Sequence, residues 1–203
     1  MMQLTIQKLL FLFLFADPYW VSKPPPEWTD PQLTALLTNS PWAQAVEGPG
    51  QNSPPVEVFL ATAGPIQLAE AERERRAQVR RKPGPAPPES PAVTEYRLWL
   101  EDNRATQIVV AIAIQNNKGF LDEREVRRME DESVMRVGKK KIKMTGSFPP
   151  SESDPYLRLA FPRQVELSDK TLFFDLYLPG VPAPFRSAEF TLKDMVVAGK
   201  LEL

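Results

Sequence analysis

The chain contains no cysteine and no histidine. The first absence removes disulfides, thiolate nucleophiles, iron–sulfur clusters and thiolate metal sites. The second removes the Ser-His-Asp triad, imidazole metal ligands and the usual switch near neutral pH. Glycine is scarce too: nine are scattered over 203 residues, and none forms a GxGxxG loop or a P-loop. Neither sign of charge dominates, since 25 Lys and Arg stand against 26 Asp and Glu. A net charge of -1 gives no global attraction to nucleic acid or anionic lipid. Enzymes built on carboxylates, Ser-Lys pairs or bound cofactors survive these absences. Most common hydrolase and metalloenzyme classes do not, and no cofactor or metal is expected.

What is present is an ordinary globular share of hydrophobic residues, 42%, enough for one domain with arms. Proline is abundant, with 22 residues clustered so that they mark loops and linkers. At the start, Lys8 precedes an unbroken apolar run from Leu9 to Phe15, and Ala16 is the candidate residue before cleavage. The run reads as a signal peptide over residues 1–16, with Leu14 where a small residue is usual. It is far shorter than the roughly 20 residues needed to cross a bilayer, so no stable membrane span is expected. The other reading is the greasy first element of a cytoplasmic protein.

Residues 17–55 read as a proline-rich arm. Pro24-Pro25-Pro26 favours extended geometry, and a short helix over 30–38 follows. Thr29 and Gln32 are spaced as a capping box, Pro31 lies in the first turn, and Trp28 and Leu33 are placed as a hydrophobic staple. Val46 to Pro55 reads as a linker.

Residues 56–203 read as the α+β domain. A strand covers 56–62, and an Ala-, Glu- and Arg-rich helix covers 66–82, with Glu70 and Glu74 on its exposed side. A loop over 83–91 precedes a helix capped by Ser90, whose apolar face is Val93, Tyr96 and Leu100. Every residue of 108–114 is apolar, which predicts a central strand covered on both faces. Another helix is expected over 121–135. Beyond Lys139 the period becomes two, as in Leu157, Leu159 and Phe161 or Leu172, Phe174 and Leu176, which predicts half-buried antiparallel strands. The expected architecture is a single α+β domain with a mixed sheet, helices packed on it and antiparallel C-terminal strands.

The stretches Glu27-Trp28-Thr29-Asp30, Leu36 to Ala43, Phe161-Pro162-Arg163, and Phe190 to Leu203 (with Gly199-Lys200-Leu201-Glu202-Leu203) carry a resemblance. The chain resembles a group of exported bacterial proteins loosely labelled GWxTD-like, with Glu27 where that motif has glycine. The resemblance implies export and the overall layout, and no activity.

Candidate sites are few. Trp28, Leu33 and Trp42 form a possible partner-binding set on the arm, or else dock the arm on its own domain; the second reading is favoured. Lys139, Lys140, Lys141 and Lys143, with Arg136, form a basic cluster, read as a lysine-protected strand edge and not as a nucleic-acid surface. Glu123, Glu125, Glu130, Asp131 and Glu132 read as a solvated helix face, without the spacing of a calcium loop. The functional expectation is a secreted or periplasmic non-enzymatic module whose partner is a protein or envelope component. The alternative is an extracytoplasmic carboxylate-dependent hydrolase.

Overall fold

The computed structural model describes residues 17–50, 53–81, 90–114, 118–151 and 153–203. The segment read as a signal peptide, 1–16, lies outside them.

In chain order the helices are α1 (Tyr19–Ser22), α2 (Asp30–Thr38), α3 (Gly64–Arg80), α4 (Pro91–Asn103) and α5 (Glu123–Glu132). The strands are β1 (Ala43–Val46), β2 (Val56–Leu60), β3 (Gln107–Ala113), β4 (Val134–Val137), β5 (Lys140–Lys143), β6 (Gly146–Phe148), β7 (Tyr156–Pro162), β8 (Thr171–Tyr177), β9 (Phe185–Thr191), β10 (Val196–Val197) and β11 (Lys200–Leu201).

The wholly apolar β3 is the middle strand of a sheet ordered β1-β2-β3-β7-β6. Opposite residues in an antiparallel pair share a face. Ile108, Val110 and Ile112 therefore lie beside Phe161, Leu159 and Leu157, and Val109, Ala111 and Ala113 lie beside Ala160, Arg158 and Tyr156. The first set meets a second sheet, ordered β5-β4-β8-β9, where Phe161 and Phe174 rings stand 5.4 Å apart. The second set faces the helices. Both faces are covered, as the continuous apolar run requires.

Every strand pairing among the described residues is antiparallel, so the expected mixed sheet is corrected to antiparallel ones. The helix expected over 121–135 ends at Glu132, and Val134–Val137 forms β4 between β5 and β8. Two ladders outweigh whatever helical preference those four residues have. α5 packs on β8. α3 begins two residues before the expected start, with Pro65 in its first turn.

The arm is woven into this core. The capping box is formed: Gln32 N–H donates to Thr29 Oγ1 at 3.3 Å, and Thr29 N–H to Gln32 Oε1 at 2.8 Å. Leu33, Leu36 and Leu37 are buried. The arm also supplies β1, a strand not expected from the sequence, which pairs with β2. Tyr19–Ser22 makes the single turn α1, and the Pro24-Pro25-Pro26 segment, expected to be extended, enters a 3-10 turn over Pro25–Glu27.

Candidate functional site

Trp28, Leu33 and Trp42 are 2%, 4% and 0% exposed, each packed in the protein's own core. The Trp28 indole N–H donates to the Lys23 carbonyl at 3.0 Å, and its ring meets Tyr19 edge-on at 5.9 Å. The Trp42 ring meets Trp20 at 5.7 Å. The arm therefore docks on its own domain. Lys140, Lys141 and Lys143 are exposed on β5, an edge strand, where charge discourages further pairing. The acidic residues of α5 pair along their own helix, Glu123 with Arg127 at 3.2 Å and Glu132 with Arg128 at 3.2 Å, while Glu125 accepts a hydrogen bond from Tyr177. Among the described residues no three acidic groups gather as a metal site. Asp131 of α5 reaches Lys143 of the basic strand at 3.9 Å, and apart from that exposed pair the structure keeps these candidate groups separate.

It builds a different site, on the helix face of β7. Period two sends Tyr156 and Arg158 to that face, and the register sets small Ala111 opposite Arg158. α3 and α4 stand on either side and leave a groove of about 890 Å³ over the strand. The Ser90 hydroxyl caps α4, accepting from Val93 N–H at 3.3 Å. Further along that helix, Tyr96 and Trp99 each pack 5.1 Å from the Phe148 ring, fixing α4 to the edge strand β6.

Arg158 forms the floor, with its side chain 8% exposed. Its guanidinium binds Asp154 directly and lies 3.9 Å from Glu70 on α3. It also sits 4.4 Å from the Tyr96 ring centroid and 5.5 Å from that of Tyr156. Arg158 Nε is buried with no hydrogen-bond partner. Burial opposes the charge on Arg158, but Asp154, Tyr96 and Glu70 hold it protonated. Burial pushes the Glu70 carboxyl above its ordinary range, against the pull of Arg158 and Arg73. The Tyr96 hydroxyl is raised well above its usual value, chiefly by burial.

A smaller groove of about 460 Å³ lies between α2 and α3, and Arg73 and Tyr156 border both. Sequence reasoning missed this cluster. Glu70 fits an exposed helix charge, and Arg158 the solvent side of an alternating strand. One signal was available: the neighbours of Arg158 on its pleat face, Tyr156 and Ala160, are an aromatic and a small residue, unlike a solvated face.

The fold is that of an antiparallel α+β protein whose site is a groove between two helices over a sheet. No described helix is long and apolar enough to cross a membrane. No protein-family model matches the chain, and no curated protein or solved structure is significantly similar to it.

Proposed function

We propose that the protein is a secreted or periplasmic binding module without catalytic chemistry, and that its ligand lies in the groove between α3 and α4. The observation that carries this reading is the engagement of Arg158. A carboxylate pair working as acid and base needs free space between its members for a scissile bond or a water. Here one guanidinium holds both Asp154 and Glu70. The groove has the concave, partly apolar character of a ligand site, with a few convergent polar groups. The apolar run before the arm supports an extracytoplasmic setting, and there the partner is a protein or another envelope component.

Ala77 lines both grooves, whereas Val79 is exposed on the same helix and lines neither. Purified protein should capture its partner from a native envelope extract. Ala77→Trp should abolish that capture by filling the groove, and Val79→Trp should not. Equal capture by both variants removes the groove from the function.

A second reading, the carboxylate-dependent hydrolase, draws support from Glu70, because a raised carboxyl suits a general acid. Glu70→Gln separates the two: a binder keeps its ligand, while a hydrolase loses turnover.

A further inference from the structure

Reading the groove as the binding site leaves the chemistry of its ligand to be derived. Between 73 and 81, α3 and its C-cap carry five arginines and one glutamate, a local charge of +4 in a chain of net -1. Most of that charge is engaged. Arg75 and Arg76 bind Glu72 at 2.7 and 2.6 Å, and Arg76 and Arg80 each bind Asp30 at 2.7 Å. Arg73 and Arg81 make no ion pair among the described residues, and both border the larger groove. Arg73 stands where the two grooves meet. It donates a 3.5 Å hydrogen bond to the Tyr156 hydroxyl and lies 6.0 Å from that ring's centroid.

The helix above them is only half supported. α3 buries Pro65, Ile66, Ala69 and Glu72, and nothing beyond Glu72. Its last two turns overhang the grooves, with Val93, Tyr96 and Leu100 of α4 forming an apolar wall across the larger one.

We infer that the groove takes a small amphipathic carboxylate, its head on Arg73 beside the Tyr156 hydroxyl and its apolar body along Val93, Tyr96 and Leu100. A guanidinium matches a carboxylate geometrically through two parallel N–H donors. An anion arriving at Arg73 breaks no existing ion pair. An incoming cation would be repelled by Arg73 and Arg81. Of the groove's carboxylates, Glu70 and Asp154 are already held by Arg158, and Glu74, which accepts a hydrogen bond from Gln78 at 3.3 Å, stands between those two arginines in the sequence of α3. A volume of about 890 Å³ lies within the range of small-molecule pockets, roughly 300–1,000 Å³. This inference rests on the binding reading above and goes further by naming the ligand class.

Calorimetric titration of the full chain with decanoate tests it, with acetate as the head alone and decyltrimethylammonium as the same tail on a cationic head. Decanoate should bind at least tenfold more tightly than either. Arg73→Gln should weaken decanoate about tenfold, Ala77→Trp should abolish it, and Lys139→Gln, on the distant β4–β5 turn, should leave it unchanged. Equal binding of decanoate and decyltrimethylammonium in a site that Ala77→Trp blocks overturns the carboxylate assignment and leaves the groove reading standing. An acidic decapeptide that binds the same site more tightly than decanoate overturns it in favour of a protein partner. Decanoate binding indifferent to both Arg73→Gln and Ala77→Trp also overturns it. The groove reading fails separately, when the Ala77→Trp variant captures the envelope partner as well as the wild type does.

Discussion

The indole N–H of Trp42 donates to the backbone carbonyl of Glu202 at 2.7 Å, across 160 positions of sequence. Arg163 reinforces the junction by donating to the carbonyls of Leu203 and Leu201 at 2.8 and 3.2 Å. The stretches around Trp42, Arg163 and Leu201, distant along the chain, are thus one structural unit. Trp42→Phe keeps most of the ring but leaves the Glu202 carbonyl unpaired, which costs about 1–3 kcal/mol. Trp42→Ala adds a cavity and should cost about 3–5 kcal/mol. Urea denaturation with an unchanged slope measures both. Equal losses for the two variants would show that the hydrogen bond, and not the ring, carries the contribution.

Val110 and Ala111 are neighbours on β3 with opposite surroundings. Val110 lies between Leu60 and Leu159 on the face between the sheets, while Ala111 lies between Phe59 and Arg158 on the helix face. An aspartate at 110 would be a buried charge without a partner, and Val110→Asp should prevent folding. Ala111→Asp is expected to be the milder change, because directly opposite residues have Cβ atoms about 5 Å apart, within reach of the Arg158 guanidinium. Soluble yield and circular-dichroism melts test the order of the two. A folded Val110→Asp variant would contradict the two-sheet core.

Glu72 and Glu70 respond to pH with opposite signs. Hydrogen bonds from Arg75 and Arg76 lower the Glu72 carboxyl from 4.5 to about 2. Its stabilisation is complete above the ordinary carboxylate value and disappears as pH falls through about 2. Glu72→Gln should therefore be less stable than wild type at pH 7, with the difference closing in strong acid. Glu70 is raised, mainly by burial, so its ionised form disfavours the fold above the ordinary value. Glu70→Gln should be at least as stable as wild type at pH 7, and the difference should close as pH falls below 4.5. Thermal melts across that range distinguish the two signs. A destabilised Glu70→Gln at neutral pH would mean that the contact with Arg158 outweighs burial.

Gly119 and Gly180 let two turns pass at backbone distance. A Cβ on Gly119 would collide with the backbone of Pro179 and Gly180, and one on Gly180 would come within 2.7 Å of Gly119 Cα. Gly180 also has a φ of +71°, a left-handed conformation that glycine adopts without strain. Gly119→Ala must push the turns apart and should cost on the order of 1–3 kcal/mol, the usual scale of overpacking. Gly146, with open space around its Cβ position, is the matched control, and Gly146→Ala should have little effect.

Signals that act within a few residues could be read directly. The Thr29–Gln32 capping box, the Ser90 cap, the apolar run of β3 and the alternation of β8 each depend on local spacing, and all are present, whereas β7, expected to be half-buried, is buried on both faces. Even the small residues on one face of β3, which let the helices and Arg158 approach, were visible as Val109, Ala111 and Ala113. The failures lie where pairing across the chain overrides local preference. Val134 and Met135 continue a helical pattern, yet ladders on both sides make them a strand. Ala43 to Val46 shows little strand character alone and becomes one beside β2.

By itself, then, the sequence determined the α+β class, the interior position of the central strand and the chemistries closed to a chain without cysteine or histidine, and it favoured the inward docking of the tryptophan arm that burial in the structure decided. Tertiary structure decided the groove. Glu70, Tyr96, Asp154 and Arg158 come from two helices, a loop and a strand. A two-residue period states which residues share a face, but not whether that face meets water or a helix. Only the packing of α3 and α4 against β7 turned a solvent-side arginine into the floor of a site.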